Sequence, residues 1–235
     1  MYSAGIDRLT HQPLSFSVSE TTEGVHIHII DAELMGKGEK EKKDLYIEGV
    51  QNNGIINHYE YIINSEGTIE IRHVLKPEGK MPLWFPRIGL TLTVSDALDQ
   101  VEWYGRGPQE NYPDRKTGYP TGIYASTVQA MYEPYLMPQD YGLRTDVRWL
   151  QLTTDKGIGL QFKMNEWFNF NIYPYSTDNL TKAMYTYQLQ KQKGMTLNLD
   201  YATTGVGCTA RGVFGAYKAM PQEYRRTISI KPMMK

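Results

Sequence analysis

Cysteine is almost absent: Cys208 is the single one among 235 residues. One cysteine cannot form an internal disulfide and supplies too few thiolates for a cysteine-rich zinc or iron–sulfur site. No motif links Cys208 to a histidine base, so the sequence does not favour a thiol nucleophile. A phosphate-cradling loop ending in Gly-Lys-Ser/Thr is missing too.

An excess of charge of either sign is also lacking. The 25 Lys and Arg residues nearly balance the 26 Asp and Glu residues, for a net charge of -1. We therefore expect neither nucleic acid nor an anionic membrane as partner. No run of about 18 apolar residues is present, so we expect a soluble protein, cytoplasmic or periplasmic, with the compartment left open. The run Lys37 to Lys43 is interleaved with Glu39 and Glu41, which predicts a solvated loop.

Most of the chain consists of short β-branched and aromatic runs divided by Gly, Pro, Asn and Asp, a pattern typical of antiparallel sheets. In Val25 to Ile29, apolar residues alternate with His26 and His28, which predicts one buried and one wet face. Hairpin turns are predicted at Asn64 to Gly67 and at Asp155 to Gly157. The predicted strands are Val25–Asp31, Ile55–Ile63, Thr68–Leu75, Ile88–Val94, Gln100–Tyr104, Thr127–Tyr132, Val147–Thr153, Gly157–Met164, Phe168–Ile172, Thr196–Tyr201 and Thr227–Lys231.

Only Ser176 to Gln190 has the pattern of a helix, with Ser176, Thr177 or Asp178 as its cap. Its predicted apolar stripe consists of Leu180, Ala183, Met184 and Tyr187. No repeat or linker-like change of composition divides the chain. Two large twisted antiparallel sheets packed face to face would satisfy this pattern, so we predict an all-β fold in a single domain, residues 1–235.

His26 and His28 lie two apart on a predicted strand and face the same way, so both imidazoles could bind one metal ion. No carboxylate nearby in the sequence completes an evident site, and alternating polar positions on a half-exposed strand explain the pair. We therefore predict no metal site in this chain.

Residues 103–115, the signature segment, combine aromatic rings, glycines, prolines, carboxylates and arginines. Gly105, Gly107 and Pro108 prevent a continuous helix and favour a structured loop after the strand. Such a composition suits polyol recognition, as do the 18 Tyr and 4 Trp of the chain, which can stack on a sugar face. The alternative is that Arg106 or Arg115 pairs with Glu110 or Asp114 merely to brace the turn.

The signature segment resembles the Trp-x-Gly-x-Gly-Pro-x-Glu-Asn-Tyr-x-Asp-Arg motif of one family, the C-terminal small-chain domain (domain 5) of glycoside hydrolase family 2 β-galactosidases. Further blocks resemble that domain in the same order along the chain. They are Ala4–Leu9, Pro86–Gly89, Met131–Tyr135, Pro138–Arg144, Phe168–Asn171, Leu197–Asp200 and Gly205–Gly207.

This resemblance implies a supersandwich of large antiparallel sheets, as in galactose-mutarotase-like proteins. It implies that the two catalytic glutamates of a retaining enzyme lie on a separate (β/α)₈ barrel. This chain would then hold no catalytic residue, and the isolated fragment would be inactive. Its expected partners are the barrel and other domains, a lactose-type β-D-galactoside and further copies in a homo-oligomer. The full enzyme would use Mg²⁺ and Na⁺, with no cofactor in this chain.

In the best-known members, a loop after the counterpart of Gly205–Gly207 carries a tryptophan that stacks on the substrate. Residues 208–212 here contain none, and Arg211 could offer a guanidinium to a hydroxyl instead. The candidates for the pocket or the motif are Trp103, Tyr104, Arg106, Glu110, Asn111, Asp114, Arg115, Arg144 and Arg211.

A free-standing carbohydrate-binding module or a mutarotase-like aldose epimerase is the alternative function. An epimerase needs a general acid and base, with histidine and glutamate as the expected pair. All 5 histidines lie within the first 73 residues and none is near the signature segment, which argues against it. A purely structural oligomerisation domain is the third possibility.

Overall fold

The computed structural model describes residues 9–35, 54–208 and 212–234. Residues 4–8 of the resembling block Ala4–Leu9, the charged run Lys37 to Lys43 and the candidate Arg211 lie outside these ranges. The chain divides into two compact units, Met1–Phe85 with Ala219–Ser229, and Pro86–Lys218 with Ile230–Lys235. The single domain over residues 1–235 stays a prediction.

The first unit is built on four antiparallel strands paired in chain order. They are β1 (Leu9–Thr21), β2 (Gly24–Met35), β3 (Gly54–Ile63) and β4 (Ile69–Glu78). The predicted turn between β3 and β4 is confirmed: the Asn64 side chain accepts from the backbone N–H groups of Glu66 and Thr68, and Gly67 has φ 75°.

Two features of the first unit differ from what the sequence predicts. Strand β1 was not predicted, because its sequence is rich in Ser and Thr and its apolar residues Phe16 and Val18 are exposed. His26 was expected on the wet face of β2, yet it is buried.

The second unit holds six strands in the spatial order β7-β6-β8-β9-β10-β5, and all neighbours are antiparallel. They are β5 (Arg87–Val94), β6 (Gln100–Arg106), β7 (Thr121–Thr127), β8 (Arg144–Thr153), β9 (Ile158–Tyr173) and β10 (Met195–Thr203). The last strand of the chain is β11 (Tyr224–Met234). The predicted turn between β8 and β9 is confirmed, since Gly157 has φ 77° and donates to the Thr154 carbonyl.

Three local predictions for the second unit need correction. The predicted strand Thr127–Tyr132 lies too late, because β7 ends at Thr127. The two predicted strands Gly157–Met164 and Phe168–Ile172 are parts of one long strand, β9. The predicted helix is much shorter than Ser176 to Gln190.

That helix, α1 (Thr177–Lys182), is capped by Ser176, whose side chain accepts from the Asn179 backbone N–H. The chain is already extended at Ala183, and a 3₁₀ turn follows at Thr186–Gln188. Tyr187, counted in the predicted apolar stripe, is 79% exposed, so no burial stabilises a longer helix. The all-β class with at most short helices is confirmed. None of the helices in the described ranges is long and apolar enough to cross a membrane.

Candidate functional site

The signature segment begins within strand β6, and its first residue is a buried tryptophan. Trp103 is 0% exposed, and its indole N–H donates to the Arg106 carbonyl at 3.0 Å. Its ring packs against Tyr124 and Phe170. Trp103 is therefore a core residue that fixes the exit of the strand, while its sugar contact stays a prediction.

Tyr104 points to the other side of β6, as the two-residue period of a strand requires. Its ring lies beneath the guanidinium of Arg148, with 4.8 Å from Cζ to the ring centroid. The same guanidinium lies 4.2 Å from the ring centroid of Trp167, which is 59% exposed. Tyr104 is thus part of an aromatic and cationic stack at the surface of the unit.

Arg106 braces the loop through Asp146 on β8. Its Nε donates to the Asp146 carboxylate at 2.6 Å, and its Nη1 donates to the carbonyls of Lys116 and Tyr119. Asp146 has φ 56° and lies where the β8–β9 register shifts, so a β-bulge aims its side chain at Arg106. Burial would raise the pKa of Asp146, but the hydrogen bonds from Lys116 and Arg106 outweigh burial and lower it.

The alternative in which Arg106 pairs with Glu110 or Asp114 is therefore wrong in its partner, which is Asp146. Arg115 likewise does not reach those carboxylates: its Nη2 donates to the Gly207 carbonyl at 2.7 Å. Both arginines use partners distant in the sequence.

The Glu110 carboxylate is a hydrogen-bond hub. It accepts from the hydroxyls of Tyr112 and Tyr135 and from the backbone N–H of Gly142, the last at 2.8 Å. Burial, together with the negative charge of Glu110, raises the pKa of both tyrosines, so they remain donors at neutral pH. Glu110 thereby ties the loop to the segment that leads into β8.

Arg144 begins β8 and is 3% exposed. Its Nη1 donates to the Gly142 carbonyl at 2.8 Å, and its Cζ lies 5.4 Å from the Trp103 ring centroid. Within the described ranges its Nε is buried without a hydrogen-bond partner. Burial lowers the pKa of Arg144 to about 10, against the opposing field of Glu110.

Asn111 is 1% exposed and serves as a buried connector. Its side-chain oxygen accepts from the backbone N–H of Thr145 at 3.1 Å and from the Thr145 hydroxyl, and its amide donates to the Gln109 carbonyl. All polar atoms of this side chain are satisfied within the protein, as burial demands.

Asp114 and Arg115 hold the loop of residues 205–207, here named the clamped loop. The Asp114 carboxylate accepts from the backbone N–H groups of Val206 at 3.1 Å and Gly207 at 2.7 Å. A Cβ atom at Gly205 would lie 2.4 Å from the Asp114 Cγ, so only glycine permits this approach. The clamped loop leads directly to residues 208–212, of which 209–211 lie outside the described ranges.

A second polar cluster, missed by the sequence analysis, lies on β5, β9 and β10. Arg87 donates to the Asp200 carboxylate at 2.7 Å, and Asn171 donates to Asp140 at 2.9 Å and accepts from Asn198 at 2.8 Å. Burial raises the pKa of Asp200, which is 2% exposed, to about 6, although Arg87 opposes this. The signal was present in the sequence, because polar residues two apart interrupt apolar strands at Asn169 and Asn171 and at Asn198 and Asp200.

The histidine pair in the first unit has the carboxylate that the sequence did not reveal. Glu60 on β3 pairs directly with His28 on β2, and its Oε1 lies 3.2 Å from the Nδ1 of His26. These three residues form the one group of potential metal ligands within the described ranges.

The family model and two of the curated relatives that this chain matches are all described as β-galactosidases. A family model described as "Beta galactosidase small chain" matches residues 8–230. A β-galactosidase of Priestia megaterium is 38% identical over 147 residues, which cover 63% of this chain and 14% of that protein. A β-galactosidase of Vibrio cholerae is 31% identical over 207 residues, covering 88% of this chain and 18% of that protein. The chain thus spans less than a fifth of the length of these curated relatives.

Among solved structures, an aldose epimerase homologue from C. elegans covers 94% of this chain and 69% of its own, at 11% identity and a TM-score of 0.45. A likeness of that size supports no conclusion about this chain.

Proposed function

The chain belongs to the beta galactosidase small chain family, and from this premise we propose that it is the C-terminal accessory domain of a β-galactosidase. The whole enzyme would hydrolyse terminal β-D-galactosides with retention, through two glutamates on a separate (β/α)₈ barrel. This chain would contribute a wall of the sugar pocket and contacts between subunits.

This proposal rests on the hydrogen bonds that the carboxylates of the signature segment already accept within the protein. Glu110 accepts three hydrogen bonds within the protein, and Asp114 accepts two from backbone N–H groups. A catalytic acid or nucleophile must instead present an oxygen to the glycosidic bond. The arrangement therefore favours an architectural role for both residues and chemistry elsewhere.

The clamped loop supports the pocket-wall role. By resemblance, the residues that follow it border the bound sugar. Asp114 accepts a hydrogen bond from the Gly207 backbone N–H, and Arg115 donates one to the Gly207 carbonyl. We infer that these two residues are positioning residues for that wall.

We also propose that the Mg²⁺ and Na⁺ ions implied by the resemblance are bound by other domains. Hard cations prefer oxygen ligands, whereas the one ligand group within the described ranges contains two imidazoles.

Reconstitution tests the accessory role. The proposed barrel-containing part of the enzyme, expressed without this chain, is expected to hydrolyse o-nitrophenyl galactoside about a hundredfold more slowly than the two together, because a misplaced pocket wall costs that much. Adding the purified chain should restore the rate. Full activity without the chain, or no recovery on adding it, would contradict the proposal.

Calorimetry separates this role from the alternative of a free-standing binding module. Titrating galactose or lactose into the chain alone is expected to release no heat of binding, because an accessory domain supplies only one side of the pocket. Saturable binding at millimolar or lower concentration would favour the module.

A further inference from the structure

We propose that His26, His28 and Glu60 form a binding site for a transition-metal ion such as Zn²⁺. The site lies on the strands of the first unit, away from the signature segment in the sequence, and it does not depend on the galactosidase role.

The strand geometry brings the three side chains to one face. His26 and His28 are two residues apart on β2, so they project to the same side. Glu60 on β3 is the direct cross-strand partner of His28, and directly paired residues share a face. Arg72 on β4 is in turn the cross-strand partner of Glu60.

The distances are close to those of a metal site. The Glu60 Oε1 lies 3.2 Å from His26 Nδ1 and 3.8 Å from His28 Nε2. One ligand atom from each residue lies within 4.8 Å of the other two. Metal–ligand bonds of about 2.0–2.1 Å in a tetrahedron place ligand atoms roughly 3.3 Å apart, so shifts on the order of 1 Å complete the site.

The donor set selects the metal. Two imidazoles and one carboxylate are the ligands of three-ligand zinc sites, which leave a fourth position to water. Imidazole suits Zn²⁺, Cu²⁺ and Ni²⁺ better than Mg²⁺ or Ca²⁺. His28 has a side chain that is 48% exposed, so an ion can enter from solvent.

The surroundings of the three ligands support this assignment. Arg72 donates to the Glu60 Oε2 at 3.0 Å, which leaves Oε1 for the histidines. Arg72 is also paired with Glu70. The carboxylates of Glu23, Glu60 and Glu70 against one guanidinium leave a net charge of -2, which attracts a cation.

His26 supplies an independent observation. The whole residue is 9% exposed, and the Nε2 atom of His26 is buried with no hydrogen-bond partner in the described part of the chain. With Nδ1 bound to a metal ion, Nε2 must carry the proton. The Glu23 carboxylate lies 4.0 Å from Nε2 and can accept that proton's hydrogen bond after a small movement, as carboxylates beside ligating histidines do.

The test uses the full chain, stripped of metal with a chelator. Calorimetric titration with ZnCl₂ is expected to show saturable binding with one ion per chain, and CoCl₂ should produce the visible absorption of four-coordinate Co²⁺. His28→Gln should weaken Zn²⁺ binding at least about tenfold. Since His28 is half exposed, this variant should melt like the unmodified chain when metal is absent.

His11→Gln is the matched control. His11 on β1 lies 2.9 Å from a carboxylate oxygen of Glu33, so it is also a histidine–carboxylate pair, but it belongs to no three-ligand group in the described ranges. This variant should bind Zn²⁺ as the unmodified chain does. Absence of saturable binding, unchanged affinity in His28→Gln, or equal weakening in His11→Gln would overturn the proposal. Glu60→Gln should weaken binding as His28→Gln does, and unchanged affinity there would overturn it too.

Discussion

Replacement of Asp114 by alanine should release the clamped loop while leaving the sheets of the second unit folded. The carboxylate holds the backbone N–H groups of Val206 and Gly207, at 3.1 and 2.7 Å. Alanine removes both acceptors at once. The loop keeps two hydrogen bonds, from Arg115 to the Gly207 carbonyl and from the Gly205 N–H to the Tyr217 carbonyl, but Val206 is 48% exposed and contributes little burial.

The expected magnitude follows from the two hydrogen bonds. A hydrogen bond to a charged group contributes about 1.5–3 kcal/mol, and partial exposure of Asp114 lowers each bond to about 1–1.5 kcal/mol. Both together give about 2–3 kcal/mol of local stability. This corresponds to amide exchange roughly 30- to 150-fold faster at Val206 and Gly207, since about 1.4 kcal/mol is a factor of ten.

Hydrogen exchange read out residue by residue measures this effect. Asp155→Ala is the control, because Asp155 is an exposed residue in the turn between β8 and β9. Amides in the middle of β9 should exchange at the same rate in both variants. If Val206 and Gly207 exchanged within twofold of the unmodified rate in Asp114→Ala, the clamp would not exist as described.

Two further predictions concern stability. Gly205→Ala should lower the free energy of unfolding by about 1–3 kcal/mol in urea, because its Cβ would lie 2.4 Å from the Asp114 Cγ; Gly212→Ala, with nothing within 4 Å of its Cβ, should change it by less than about 0.5 kcal/mol, and equal losses would refute the reasoning. Burial lowers the pKa of His73, which is 1% exposed, to about 4, so the folded chain keeps this imidazole neutral where the unfolded chain binds a proton. The stability it contributes is fully present above about pH 6.5 and is lost as the pH falls through about 4, a total of about 3 kcal/mol. His73→Gln should flatten that slope in urea unfolding between pH 7 and 4.5, and an unchanged slope would contradict the assignment.

The features that could be predicted from the sequence are local. The turns at Asn64–Gly67 and Asp155–Gly157 were predictable because their glycines adopt positive φ and neighbouring side chains close the turn. Strand β1 was missed because a polar, exposed edge strand lacks the alternation that a half-buried strand shows. The helix was overextended because the stripe containing Tyr187 is not buried.

The partners of the site residues could not be predicted, because they lie far apart in the sequence. Arg106 pairs with Asp146, 40 residues away. A β-bulge positions Asp146, and no local sequence pattern predicts that bulge. Asp114 reaches Gly207 across 93 residues, and His26 reaches Glu60 across 34. Charge proximity along the chain suggested the wrong pairs, whereas strand register decides the right ones.

We propose that the signature carboxylates shape the protein and do not cleave the substrate. The most direct measurement is hydrolysis of o-nitrophenyl galactoside by the purified chain, with Glu110→Gln beside it. No turnover above the buffer background is expected for either protein. Turnover by the unmodified chain that Glu110→Gln abolishes would contradict it.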